Sequence, residues 1–380
     1  MSGQSPSIHP NDDIRMSTPS WRCAAATCAT WLALGLAPAM AHAGSLQTFL
    51  DRFIENEDLP GAVLLVSGPE GREIAASGVA RRKPREAMTP ETRFYIASSG
   101  KLATATAALQ LVHEGRLQLD EPVWPRLKDM PGLARLRHIQ SVTLEQLLKH
   151  RTGLAEYYTD DFEAQARRQP DKRFSAAESL AFAVGERSQG KPGREHNYTN
   201  TNYVLLGELV GRADRQPFEQ ALRQRIFSRA GMAHTSVGAY KTEPRLAHGY
   251  SYDGDDQLRD ISASGWSAIT GDGPLVTTAA DYEAFLFALF RDGKLLPRAL
   301  VARMCTPQAE EPDSGYGLGC QVMQTPWGEA WGHNGSVPGF NADTWYIPRL
   351  GIAVVFMTNG DPDSDDPDIV VRAVKAYLKR

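Results

Sequence analysis

The order of apolar runs and turns predicts an α/β domain combined with an all-α one. An antiparallel sheet is built from both ends of the chain and flanked by the terminal helices, with a mostly helical domain inserted. Three observations predict it. Compact apolar runs joined by turn residues occur over residues 61–78 and again over 321–358, the stretch between them has helical spacing, and amphipathic segments lie at both ends of this pattern.

Leu46, Phe49, Leu50, Phe53 and Ile54 recur at helical spacing. Gly61 to Ser67 and Arg72 to Gly78 follow as two strand-length runs, and the turn Gly68-Pro69-Glu70-Gly71 makes them a hairpin. From Lys101 to about Arg291 the pattern is mostly helical, broken at Gly115, Pro131, Gly153, Pro192 and Gly231. Strand signals return at Gln321 to Met323, Trp331 to His333, Ala342 to Ile347 and Ile352 to Thr358, with turns containing Pro326, Gly328, Pro348 and Gly351. Such closely spaced hairpins mean an antiparallel sheet. Val370, Val374, Tyr377 and Leu378 close the chain on a helix. The sheet domain is therefore expected over 44–100 and 300–380 and the helical domain over 101–299, with the site at their junction.

Composition narrows the function classes. With 380 residues, 42% hydrophobic and 23% charged, the chain suits a globular protein. A net charge of −4 gives no basic excess, which argues against a nucleic-acid partner. No CxxC or HExxH pair occurs, so neither a metal nor another cofactor is expected. At the N-terminus, Arg22, an apolar run closing on Trp31 to Leu36 and the small residues ending Ala41-His42-Ala43 have the layout of a secretory signal peptide, residues 1–43. The polar stretch before Met16 fits that layout poorly, so translation starting at Met16 stays open. The apolar run is shorter than the ~20 residues that span a bilayer, so no stable anchor is expected. Export, in a bacterium to the periplasm, would expose Cys305 and Cys320 to oxidation; a disulfide and two buried thiols both remain open.

Ser98-Ser99-Gly100-Lys101 opens a stretch free of Gly and Pro until Gly115. Ser98 thus sits at a helix start, with Lys101 on the same side of the first turn. The helix N-terminus favours the charge that develops on a deprotonated serine, and a buried neutral lysine can accept the proton. Ser188-Gln189-Gly190-Lys191 has the same spacing, but Pro192 and the surrounding loop deny it a helix; it is read as a chance match. Tyr198-Thr199-Asn200 precedes the apolar run from Tyr203 to Val210, which puts a phenol and an amide at another helix entrance. His333-Asn334-Gly335-Ser336 lies on a strand, with His333 and Gly335 on one face and the glycine read as space for a ligand's backbone. His150 reads as a structural, hydrogen-bonded histidine. The glycosylation sequons at Asn197 and Asn334 fall in the expected cleft and read as coincidences.

Together and in this order, the three elements resemble the active site of the penicillin-recognising serine hydrolases: class C β-lactamases, DD-carboxypeptidases and related esterases. Further matches run along the chain: Leu59-Pro60-Gly61, Met88-Thr89-Pro90, Leu147 to Leu154, Gly231-Met232 with Thr235, Gly271 to Asp281 and Tyr316-Gly317-Leu318-Gly319. The resemblance implies a β-lactamase/DD-peptidase-like fold, with Ser98 as nucleophile and Lys101 and Tyr198 sharing its proton, either one being the base. It also implies that Asn200 binds the substrate's acyl-side amide and that the N–H groups of Ser98 and Ser336 form the oxyanion hole. Class C β-lactamases carry lysine where this chain has His333, which favours a peptidase. Cys320 replaces a residue that is often aromatic. The expected function is an exported D-alanyl-D-alanine carboxypeptidase-like enzyme acting on peptidoglycan stem peptides, with His333 as the cation for the substrate carboxylate. A carboxylesterase, a β-lactamase and a slow-turnover penicillin-binding sensor are the alternatives.

Overall fold

The computed structural model describes residues 46–379 apart from 170, 240–242, 253–256, 263–269, 274, 308–314 and 363–367. The expected signal peptide lies outside the described residues. These residues belong to one unit, His42–Arg380, and among them no helix is long and apolar enough to cross a membrane.

The apolar runs at the two ends of the chain form the middle of one sheet. Its strands are β1 (Gly61–Gly68), β2 (Gly71–Arg81), β3 (Glu86–Ala87), β4 (Gly315–Tyr316), β5 (Gln321–Thr325), β6 (Gly328–Val337), β7 (Phe340–Ile347) and β8 (Ile352–Thr358). They lie in the order β3-β2-β1-β8-β7-β6-β5-β4. β1 pairs antiparallel with β8, Ala62 opposite Thr358, so the sheet is closed by strands nearly 300 positions apart. Every residue of β8 is buried, because both faces of the sheet are covered.

Alternation along β1 divides the covering layers. Ala62, Leu64 and Val66 join Val354 and Phe356 under the terminal helices α1 (Leu46–Asn56) and α6 (Asp368–Tyr377), where Leu50, Phe53, Val370 and Val374 pack. Phe53 meets Phe356 edge-on with ring centres 5.4 Å apart. Truncating such a ring to alanine costs about 3–5 kcal/mol. Val63, Leu65, Val355 and Met357 face the opposite layer, which contains α2 (Lys101–His113). Residues Lys101 to Leu111 of α2 are all buried, so this helix is enclosed on every side rather than presenting the single apolar face expected of a surface helix.

Between the chain ends lie α3 (Asp160–Arg168), α4 (Asn200–Asp214) and α5 (Ala279–Leu286) among shorter turns. The inserted segment is not purely helical. Leu275–Thr277 pairs with Phe94–Tyr95 on one side and Ser236–Val237 on the other. That small sheet brings residues 270–273 beside the turn Ala97–Gly100. On the opposite side of the turn is β6: β5 pairs only with its residues 328–332, which leaves 333–337 free to lie against the turn.

Candidate active site

Residues Ala97–Gly100 form a tight 3-10 turn that runs into α2. Ala97 has φ of +46°, a left-handed conformation that costs a residue with a Cβ of order 1–3 kcal/mol. Its neighbours hold it there. Ser99 Oγ donates to the His333 carbonyl at 2.9 Å, and Tyr282 of α5 donates to the Ser99 carbonyl at 2.6 Å. A Cβ on Gly335 would lie 2.2 Å from the Ile96 oxygen and 2.9 Å from the Ser98 nitrogen. The glycine therefore serves the contact between β6 and the turn, not the space for a ligand that its place on the strand suggested. Gly273 packs from the other side, where a Cβ would lie 2.1 Å from the Ala97 oxygen.

This clamping turns the two serines opposite ways. Ser99 is buried, while Ser98 is partly exposed and its Oγ lies 2.8 Å from Lys101 Nζ. Lys101 is fully buried. Its Nζ also donates to Asn200 Oδ1 and to the Asp272 carbonyl, both at 2.7 Å. Those two atoms can only accept, so they take two N–H bonds and leave the third position of the nitrogen for Ser98. Lysine can thus hold or release a proton toward Ser98 without moving.

Asn200 begins α4, and its own N–H donates to Glu156 Oε2 at 2.7 Å. Its side-chain NH₂ reaches the same oxygen at 3.3 Å. Asn200 thereby orients Lys101 as well as lining the cleft. Asp272 accepts from Tyr157 and Thr270, both at 2.5 Å. Burial and the Asp272 charge push the Tyr157 phenol well up, which keeps it a donor.

Tyr198 is 38% exposed, and its ring stacks on His150 with centres 4.1 Å apart. Lys101 Nζ is 5.0 Å from the Tyr198 ring centre. Among the described residues the Tyr198 hydroxyl has no hydrogen-bond partner, so it is available to a bound molecule. Ser336 is exposed beside Ser98 on the cleft wall. His333 differs from its expected role. It is 1% exposed, and burial first, then the Lys101 charge, push its pKa down to about 3 against the Asn334 carbonyl, which raises it. A neutral, enclosed imidazole is not a cation for a substrate carboxylate.

The cleft beside Ser98 is walled by Tyr95, Tyr157, Tyr158, Phe162, Val337 and Pro338. Asp272 is the charged side chain among its described lining residues. Nothing in the sequence singles out Glu156, Asp272, Tyr157 or Tyr316 individually as site residues. Asp272 and Tyr316 lie in stretches that carry the family resemblance, and that is their only signal. Ser188 lies in a loop and donates to the Gly153 and Gly190 carbonyls, with no helix to align it with Lys191. Cys305 and Cys320 are disulfide-bonded, with Cα atoms 5.2 Å apart.

Residues 46–378 match the family model described as Beta-lactamase, and the chain belongs to that family of serine hydrolases. Among its relatives, the putative penicillin-binding protein PbpX of Bacillus subtilis is 30% identical over 77% of this chain and 68% of its own. Penicillin-binding protein 4 of Amycolatopsis lactamdurans is 28% identical over 83% of this chain and 84% of its own. The crystal structure of D-amino acid amidase from Ochrobactrum anthropi SV3, complexed with L-phenylalanine amide, superposes with a TM-score of 0.75. It is 28% identical, and the match covers 88% of this chain and 97% of that one.

Proposed function

We propose that the protein is an exported serine amidohydrolase that works through an acyl-Ser98 intermediate. The observation that carries the reading is Lys101 Nζ, fixed by two obligate acceptors and left with one position facing Ser98 Oγ. Ser98 Oγ attacks the substrate carbonyl carbon while its proton passes to Lys101. The resulting oxyanion takes the N–H groups of Ser98 and Ser336. The carbon–nitrogen bond breaks as the leaving amine receives a proton from the Tyr198 hydroxyl, and Lys101 returns a proton to Tyr198. Water then enters by the reverse path and releases the acid. General acid–base help of this kind supplies about 10²–10⁴-fold in rate. The disulfide supports export, because such bonds persist in oxidising compartments.

A D-alanyl-D-alanine carboxypeptidase needs a cation for its substrate's terminal carboxylate, and His333 is buried and neutral. The cleft instead combines aromatic walls with the Asp272 carboxylate. These features favour a small amino-acid amide with an apolar side chain and a free amine, in line with the amidase relative, over a carboxylate-terminated cell-wall peptide. Comparing kcat/KM for D-phenylalanine amide, a peptide ending in D-Ala-D-Ala, a short-chain nitrophenyl ester and a chromogenic cephalosporin tests this. The amide is expected to lead, and KM for the acidic peptide is expected to stay flat from pH 6 to 8. A preferred acidic peptide whose KM climbs above pH 7 restores the carboxypeptidase reading.

A further inference from the structure

Behind the Tyr198 ring lies a set of buried side chains that the proton path through Ser98 and Lys101 does not use: His150, Tyr203, Tyr316 and His333. His150 sits at φ +53°, and it grips the segment carrying Tyr198 at three points. Its carbonyl accepts the Asn197 N–H at 2.8 Å. Its Nδ1 accepts the Thr199 N–H at 3.2 Å, and its ring stacks on Tyr198 at an interplanar angle of 26°.

The tautomers follow from these partners. Because His150 Nδ1 accepts a backbone N–H, the neutral ring carries its proton on Nε2 and donates it to Tyr316 Oη at 3.3 Å. At the other end, His333 Nδ1 faces the Asn334 carbonyl and so holds a proton, which leaves Nε2 to accept from Tyr316 Oη at 3.1 Å. Tyr203 donates to the Leu148 carbonyl at 3.2 Å, so its oxygen is free to accept, and Tyr316 Oη can donate either to Tyr203 at 3.4 Å or, over the shorter contact, to His333 Nε2 at 3.1 Å. The result is a hydrogen-bonded chain that links His150, Tyr316 and His333, with Tyr203 as a branch at Tyr316. It ends on the strand whose His333 carbonyl accepts from Ser99, next to Ser98.

We propose that His150 is a positioning residue: it sets the Tyr198 ring by stacking and by its bond to Thr199, and the Tyr316–His333 chain ties that setting to the Ser98 turn. Burial opposes a positive charge on either imidazole, and Lys101 adds to that opposition, so both ends of the chain stay neutral. The inference rests on the reading of Tyr198 as part of the proton path.

A double-mutant cycle separates the two. The rate of acylation by a chromogenic cephalosporin is measured for His150→Phe, which keeps a stacking ring and removes the Nδ1 acceptor, in the wild-type and Tyr198→Phe backgrounds. Alone, His150→Phe is expected to slow acylation about 10-fold or more with KM changed less than about 2-fold; in the Tyr198→Phe background it should cost less than about 2-fold. Tyr316→Phe, which breaks the chain and leaves His150 in place, is expected to show the same dependence on Tyr198 and serves if His150→Phe fails to fold. Equal losses in both backgrounds for a folded variant overturn the positioning role while leaving Tyr198 in the proton path. A Tyr198→Phe protein as fast as wild type overturns both.

Discussion

Mild acid should destabilise this protein through His333. The imidazole is 1% exposed and its pKa is pushed from 6.5 down to about 3. The unfolded chain therefore binds a proton that the folded one refuses, and stability rises with pH across this window. The contribution is complete above pH 6.5 and is lost progressively as pH falls toward 3. At pH 5 the loss is about 2 kcal/mol, from 1.5 pH units below the unfolded value at about 1.4 kcal/mol each. Buried His150, also held well below its ordinary value, acts in the same direction. Carboxylates held low by partners, such as Asp260 and Glu178 at about 2, lose their contribution only from about pH 4.5 downward, so the interval from pH 7 to 5 belongs to the imidazoles. The assay is urea unfolding of wild type and His333→Gln at pH 7, 6 and 5. The glutamine can still accept from Tyr316 and does not titrate. Wild type should lose about 2 kcal/mol more than the variant between pH 7 and 5. Equal losses would show that folded His333 is protonated normally, and with it the argument for a neutral strand would fall.

Three further outcomes follow from the packing around Ser98. Gly335→Ala forces a Cβ to within 2.2 Å of the Ile96 oxygen, so a folded variant should acylate at least about 10²-fold more slowly by stopped-flow; an active variant would show that the turn can retreat. Cys320→Ser opens a loop with a sequence separation of 15 residues and should lower unfolding stability by about 3 kcal/mol, measured under non-reducing conditions. An unchanged denaturation midpoint contradicts it. Lys101→Ala and Tyr198→Phe should each cut the acylation rate at least about 10²-fold, with losses that do not add in the double variant; full additivity would mean separate proton paths.

Much of this was legible in the residues. The hairpin at 61–78 and the strands near 342–358 announce themselves because each run is apolar, strand-length and bounded by turn residues. The Ser98–Lys101 spacing was readable because nothing breaks a helix before Gly115. What the sequence hid depends on distant neighbours. Phe94–Tyr95 and Ser236–Val237 are two residues long and have no periodicity to read, yet with Leu275–Thr277 they bring Asp272 to Lys101. His333 looked like a cation because its burial depends on the Ala97–Gly100 turn, which lies far from it in sequence, and on Tyr316. Gly335 was recognised as a place of close approach, but the approaching backbone is the protein's own.

The most direct test of Ser98 as the nucleophile is where the protein becomes acylated. Wild type and Ser98→Ala are treated with a fluorescent penicillin or fluorophosphonate, digested and mapped by mass spectrometry. One stoichiometric adduct is expected on the peptide containing Ser98, absent from Ser98→Ala. An adduct on Ser188, or undiminished labelling of Ser98→Ala, would contradict it.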